Sequence, residues 1–300
     1  MMNEKELINT IKSILNSEYI GDDCAYLKDL GIVVSQDSLV EGVHFSLNYT
    51  DAYKLGWKSV MVNISDICAS GAEPKYLTIA LSIPKYIDLN FVEEFYKGAK
   101  DAAGEVEIVG GDITGSDKLF ISVTAIGDVK DRKISSRSNA KSGYKVIVSG
   151  EHGNSAYGLR LLQQGKVSPQ KYIDAHLMPV AQRLFSKEIS ENINCDYAMM
   201  DSSDGLADAL IQIAKASNIK IKIDSFLIPH DSLVDMDTVL FGGEDYELVA
   251  VVPETILSKI SNYTVIGEVL DGDSGIEIDN KFYENIDDKI YNHFKEKYEN

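Results

Sequence analysis

Apolar residues along this chain fall into short runs separated by polar, glycine-containing breaks, the pattern of alternating strands and helices. In the first half, GIVVS at 31–35 reads as a buried strand and 76–83 as a second. LFISVTAIG at 119–127, with partial period-two alternation, reads as a third. Helical stretches at 51–70 and 90–103 lie between them, the latter followed by a strand at 106–109. A polar segment, KDRKISSRSNAKSG at 130–143, then leads into a fresh strand at 144–149. The second half repeats the alternation. Helices are expected around 153–164, 181–192 and 206–217, and strands at 220–223 and 248–252. The spacing predicts an α/β chain (α+β type) in two domains, 1–140 and 141–300, each burying its own core.

The helix expected at 51–70 has an unusual pattern. Val60, Met61, Val62, Ile64, Ile67, Cys68 and Ala69 make it apolar nearly all round, which means buried. Yet Ser59, Asn63, Asp66 and Ser70 fall on one polar stripe. A solvated face of this length would carry Lys or Glu, and a buried Asp needs a partner. The stripe therefore reads as functional.

Composition removes several classes of function. No apolar run is long enough to span a membrane, and the amphipathic N-terminus lacks the apolar centre of a signal peptide, so a cytoplasmic location is expected. Three widely spaced cysteines suggest neither a disulfide framework nor a zinc site. Asp and Glu number 47 against 29 Lys and Arg, a formal charge of −18. That field repels nucleic acid and anionic membranes. A polyphosphate substrate would need bound cations to reverse the sign locally.

Six segments set a carboxylate among small residues: Gly21-Asp22-Asp23, Ser35-Gln36-Asp37, Asn63–Asp66, Gly110-Gly111-Asp112, Asp201–Gly205 and Gly242–Asp245. Gly and Asp are also ordinary turn residues, and Asp204-Gly205 could simply cap a helix. Six such segments, mostly bordering apolar runs, point instead to a hard cation such as Mg²⁺, which takes oxygen ligands and substrate phosphates. There is no GxxxxGK[ST] loop, no GxGxxG after a strand, no kinase HRD or DFG, no GxSxG elbow and no HExxH pair.

The ordered set IGDDCA (20–25), SQDSLVEGVHF (35–45), KSVMVNISDICASGAEPKYLTIALSIP (58–84), VGGDIT (109–114), DSSDGL (201–206) and GGEDYEL (242–248) resembles the thiamine-monophosphate kinase family. That family lies within the aminoimidazole-ribonucleotide synthetase-like superfamily. The resemblance implies a two-domain fold whose N-terminal sheet contributes to a homodimer. It also implies transfer of the γ-phosphoryl group of ATP to the phosphate of thiamine monophosphate. By the same resemblance, Asp23, Ser35, Gln36, Asp37, Asp66, Asp112, Asp201 and Asp204 would hold metal. Gly111, Asp112, Arg137 and Ser203 would contact ATP, and His44, Glu244 and Tyr291 the substrate. No protein base is expected, because a phosphate monoester with a second pKa of about 6 is already largely deprotonated near neutrality. Three departures stand out. Gln36 replaces a hydroxyl residue, Asn154 replaces an Asp, and the aromatic often found before the GGD strand is missing near Gly104. Other superfamily members fit less well: selenophosphate synthase would need a reactive Cys or selenocysteine and a Lys in a glycine-rich N-terminal segment, the hydrogenase-maturation member a C-terminal Cys, and aminoimidazole-ribonucleotide synthetase lacks a VEGVHF-type segment. A non-catalytic metal or nucleotide sensor should have lost some of these carboxylates.

Overall fold

The computed structural model describes residues 4–291. After helix α1 (Glu4–Leu15), the first half forms a five-stranded sheet from β1 (Ala25–Leu27), β2 (Ile32–Val40), β3 (Glu73–Ile83), β4 (Glu107–Gly115) and β5 (Phe120–Asp128). Their order is β1-β2-β5-β3-β4. Helices α2 (Ala52–Ala69) and α3 (Leu89–Ala103) pack together. Glycine makes that contact close: a Cβ on Gly56 would sit 2.0 Å from the Phe95 carbonyl oxygen, and one on Gly98 1.9 Å from that of Tyr53. Asp51 starts α2 by accepting the Lys54 N–H, as an N-cap should.

The second half forms a seven-stranded sheet ordered β12-β11-β8-β10-β6-β9-β7. Its strands are β6 (Lys145–Val148), β7 (Ala198–Asp201), β8 (Lys220–Ile223), β9 (Leu248–Val252), β10 (Thr264–Leu270), β11 (Gly275–Ile278) and β12 (Lys281–Tyr283). Its α-helices are α4 (Asn154–Gln163), α5 (Gln170–Leu177), α6 (Arg183–Asn192), α7 (Leu206–Ser217) and α8 (Met236–Phe241). No helix among the described residues is long and apolar enough to cross a membrane.

Every residue of β9 is buried because both faces of its sheet are covered. Val249 and Val251 join the core under α7, whereas Leu248, Ala250 and Val252 join the core that contains α2 and the first sheet. The first core therefore runs through both halves and is not confined to one.

Two expected strands extend through acidic segments in the structure. The strand expected at 31–35 continues to Val40, carrying Ser35, Gln36 and Asp37 inside β2. The one expected at 106–109 continues to Gly115, so Gly110, Gly111 and Asp112 lie within β4 and not in a turn after it. Parallel pairing overrides the local turn preference: Ile79 of β3 is paired with Gly111, where a Cβ would fall 1.8 Å from the Ile79 carbonyl oxygen. The tail residues Phe294 and Tyr298 lie outside the described residues.

Candidate active site

Three carboxylates converge from separate segments. Ligand oxygens of Asp23, Asp66 and Asp201 all lie within 4.8 Å of one another. Asp23 precedes β1, Asp66 is on the last turn of α2, and Asp201 ends β7 across the sheet boundary. The polar stripe of α2 is no solvated face, since Ser59 and Asn63 are fully buried. Asn63 Oδ1 accepts the Asp37 N–H at 3.0 Å and so ties β2 to the helix. Ser35 Oγ donates to Asp66 at 2.5 Å, and Ser65 Oγ donates to Asp201 at 2.6 Å.

Burial pushes Asp201 up to about 8, with Asp23 adding repulsion. Asp66 is held well above its usual range by burial, then by Asp37, Asp201 and Asp23. Asp37 is raised by burial, Asp23 and Glu4 of α1. Like charges gathered this way are unfavourable alone and favourable around a divalent cation. The donor set, all hard oxygen, fits Mg²⁺.

Arg137 borders the cluster. Its guanidinium donates to Asp23 at 2.9 Å and to Gln212 of α7 at 2.6 Å, while its backbone N–H meets Asp22 at 2.7 Å. Ser217 Oγ holds the Arg137 carbonyl at 2.7 Å, so α7 positions this turn. Ser203 and Asp204 lie on the loop between β7 and α7, and Asp204 is exposed. The cap position of α7 belongs to Gly205, at φ 102°, and not to Asp204.

His44, Glu244 and Tyr291 come together. Burial and then the charges of Glu244 and Asp204 raise the Tyr291 hydroxyl, and His44 is among the groups that hold the Glu244 carboxyl down. His44 Nδ1 accepts the Val40 N–H at 3.0 Å, which leaves the neutral ring's proton on Nε2. Glu244 sits at φ 68° and its N–H donates to Ser203 O at 2.6 Å. Gly243 permits this approach, since a Cβ there would fall 2.6 Å from the same oxygen. Burial opposes ionisation of Glu244, but the charge of Lys58 above all holds the carboxyl below its ordinary value. The Lys58 ammonium is 3.2 Å, and His176 Nδ1 3.3 Å, from Glu244 Oε2.

Lys58, His176, Ser65 and Gln212 were not expected from the sequence. The signal for Lys58 was a lysine in a helix whose apolar residues mark it as buried; His176 had no spacing partner at all.

Two expected ligands are not brought to the cluster. Alternation along β2 turns the Gln36 side chain to the opposite sheet face from Asp37, where it meets Ser122 at 3.2 Å and Thr124 at 3.1 Å. Gly111 and Asp112 lie on the exposed edge strand β4. Pairing aligns Asp37 with Val123, Ile79 and Gly111 in turn, three strand steps or about 14 Å. Asp112 and Gln36 share the uncovered face.

Comparison with known proteins gives this arrangement its class and its family. Residues 21–129 match the model for AIR synthase related protein, N-terminal domain. The thiamine-monophosphate kinase of Aquifex aeolicus is 35% identical over 98% of each chain, and that of Bacillus subtilis 36% over 84% of each. A solved structure described as AaThiL complexed with AMPPCP and TMP superposes with a TM-score of 0.89, at 35% identity over 97% of each chain. The two-sheet fold is thus that of the AIR synthase-related proteins. Within that class, the chain belongs to the thiamine-monophosphate kinase family. It is accordingly a phosphotransferase.

Proposed function

We propose that this enzyme transfers the γ-phosphoryl group of ATP to the phosphate of thiamine monophosphate, forming thiamine diphosphate in the cytoplasm. The observation that carries the proposal is the meeting of Asp23, Asp66 and Asp201 from both halves of the chain, joined through the Ser203 loop to the Glu244 pocket. The solved relative described with AMPPCP and TMP supports the same pair of ligands.

Asp23, Asp66 and Asp201 would hold Mg²⁺, with Asp37, Ser35 and Asp204 beside them. Bound there, Mg²⁺ supplies neutralisation of the phosphate oxygens. The protein's own groups position the reactants. Arg137 exchanges its contact with Asp23 for a phosphate, a bidentate partner suited to guanidinium. Ser203 lines the nucleotide side. His44 offers an Nε2–H donor, and Tyr291 bounds the substrate. No side chain has to remove a proton from the acceptor, which is already ionised near neutrality. Catalysis then rests on alignment and charge compensation.

The uncovered sheet face carrying Gln36 and Asp112 is the surface we assign to a homodimer. Pairing through it sets a second copy against both residues. The domain boundary near residue 140 fits the polar segment between the two sheets.

Purified enzyme given ATP, Mg²⁺ and thiamine monophosphate should yield thiamine diphosphate and ADP in equal amounts. Folded protein that binds ATP yet forms no thiamine diphosphate would overturn the proposal.

A further inference from the structure

The Lys58 side chain is 3% exposed, and its ammonium has no hydrogen-bond partner among the described residues beyond its 3.2 Å ion contact with Glu244. Burying an ammonium is costly unless it is compensated. An apolar residue would fill the same place in α2 without that cost, so packing alone does not account for lysine here.

His176, 1% exposed, meets the same oxygen. It is pushed down to about 3 by burial and by Lys58, and is therefore neutral near pH 7. Ser155 Oγ lies 3.1 Å from the same Nδ1, and Tyr49 packs edge-on against the ring with ring centroids 6.3 Å apart. Both contacts thus fall on Oε2. Neither contact falls on Glu244 Oε1, and the side chain remains 25% exposed. These two contacts clamp the carboxylate at one oxygen.

We propose that Lys58 is the positioning residue of the substrate pocket. With His176 it pins Glu244 Oε2 and presents Oε1 as a single acceptor for an N–H donor on the ligand's heteroaromatic ring. This rests on the reading that Glu244 contacts thiamine monophosphate, whose pyrimidine carries such an amine. Lys58 also compensates the carboxylate's charge, so the pocket reads hydrogen-bond geometry more than positive charge.

Steady-state kinetics on Lys58→Met, Lys58→Arg and Glu244→Gln test it, with thiamine monophosphate and ATP varied separately. Lys58→Met should raise KM for thiamine monophosphate about tenfold, leaving kcat and KM for ATP within about threefold. Lys58→Arg should recover most of that loss. Wild type should prefer thiamine monophosphate over its analogue with the ring amine replaced by oxygen, and Lys58→Met should narrow that preference. If Lys58→Met does not fold, His176→Asn removes the other contact on the same oxygen and should show the same split. A raised KM in Glu244→Gln with no change in the Lys58 and His176 variants would overturn the positioning role. An unchanged KM in Glu244→Gln would instead overturn the assignment of the pocket itself.

Discussion

Asp201 is 2% exposed, yet its carboxylate shares a small volume with those of Asp23 and Asp66. Its folded value of about 8 lies above the ordinary 3.8 of the unfolded chain. The stability it contributes is therefore complete at low pH and is lost as pH rises toward about 8. Buried His152 and His176, pushed down to about 4 and about 3, act in the opposite sense. They do so only below about pH 6.5, where the unfolded chain takes up protons. Between about pH 7 and about pH 8, the chelator-treated enzyme should lose melting temperature as pH rises. Saturating Mg²⁺ should flatten that slope. A chelated protein whose melting temperature climbs over this window would contradict the account. Asp66→Asn should abolish turnover while melting no lower than the chelated parent, because it removes one like charge; near-normal activity at limiting Mg²⁺ would make the stripe structural.

Elements tell a different story about what the sequence revealed. The β9 run LVAVV and the α7 run LADALIQIAKAS announced themselves, the first as a short continuous apolar run and the second by its helical period, each with clear borders. Strand β4 did not, because Gly110-Gly111 looks like a turn until Ile79 is known to lie beside it. Helix α5 and strands β10 to β12 mix polar and apolar positions, and their identity comes from the neighbours they pair with. The carboxylates were legible as chemistry because small residues surround each of them. Lys58 and His176 were not, since their meeting at Glu244 exists only once both halves are folded. Gly111 and Gly110 supply a paired test. Gly111→Ala should lower stability by about 1–3 kcal/mol in denaturant titration, as overpacking does. Gly110→Ala, with no atom within 4 Å of the new methyl, should cost far less. Equal effects would mean the close approach of β3 and β4 is not what Gly111 serves.

At the scale of the whole molecule, a formal charge of −18 on each chain opposes self-association. A homodimer through the uncovered face of the first sheet must therefore gain its stability from short-range contact, with Tyr76, 44% exposed, among the residues available. Light scattering should give twice the 33.1 kDa chain mass, and more completely as salt screens the repulsion. Tyr76→Glu should shift the population toward monomer. A wild-type enzyme that is active and strictly monomeric at assay concentration would remove this face from the mechanism.

Helix α2 reaches both sheets. Trp57 donates to the Pro179 carbonyl at 2.8 Å, Ser186 to the Cys68 carbonyl at 2.6 Å, and Ser65 and Lys58 hold Asp201 and Glu244. The core around it takes in Ile147, Met199, Leu248 and Ala250 from the second sheet. Cutting the gene near codon 140 would therefore not release two modules. Each fragment would carry a raw apolar face, and a chimaera exchanging halves between relatives would have to exchange α2's partners with them. The heritable unit of this enzyme is the whole chain, because its carboxylate cluster and its interior share one seam.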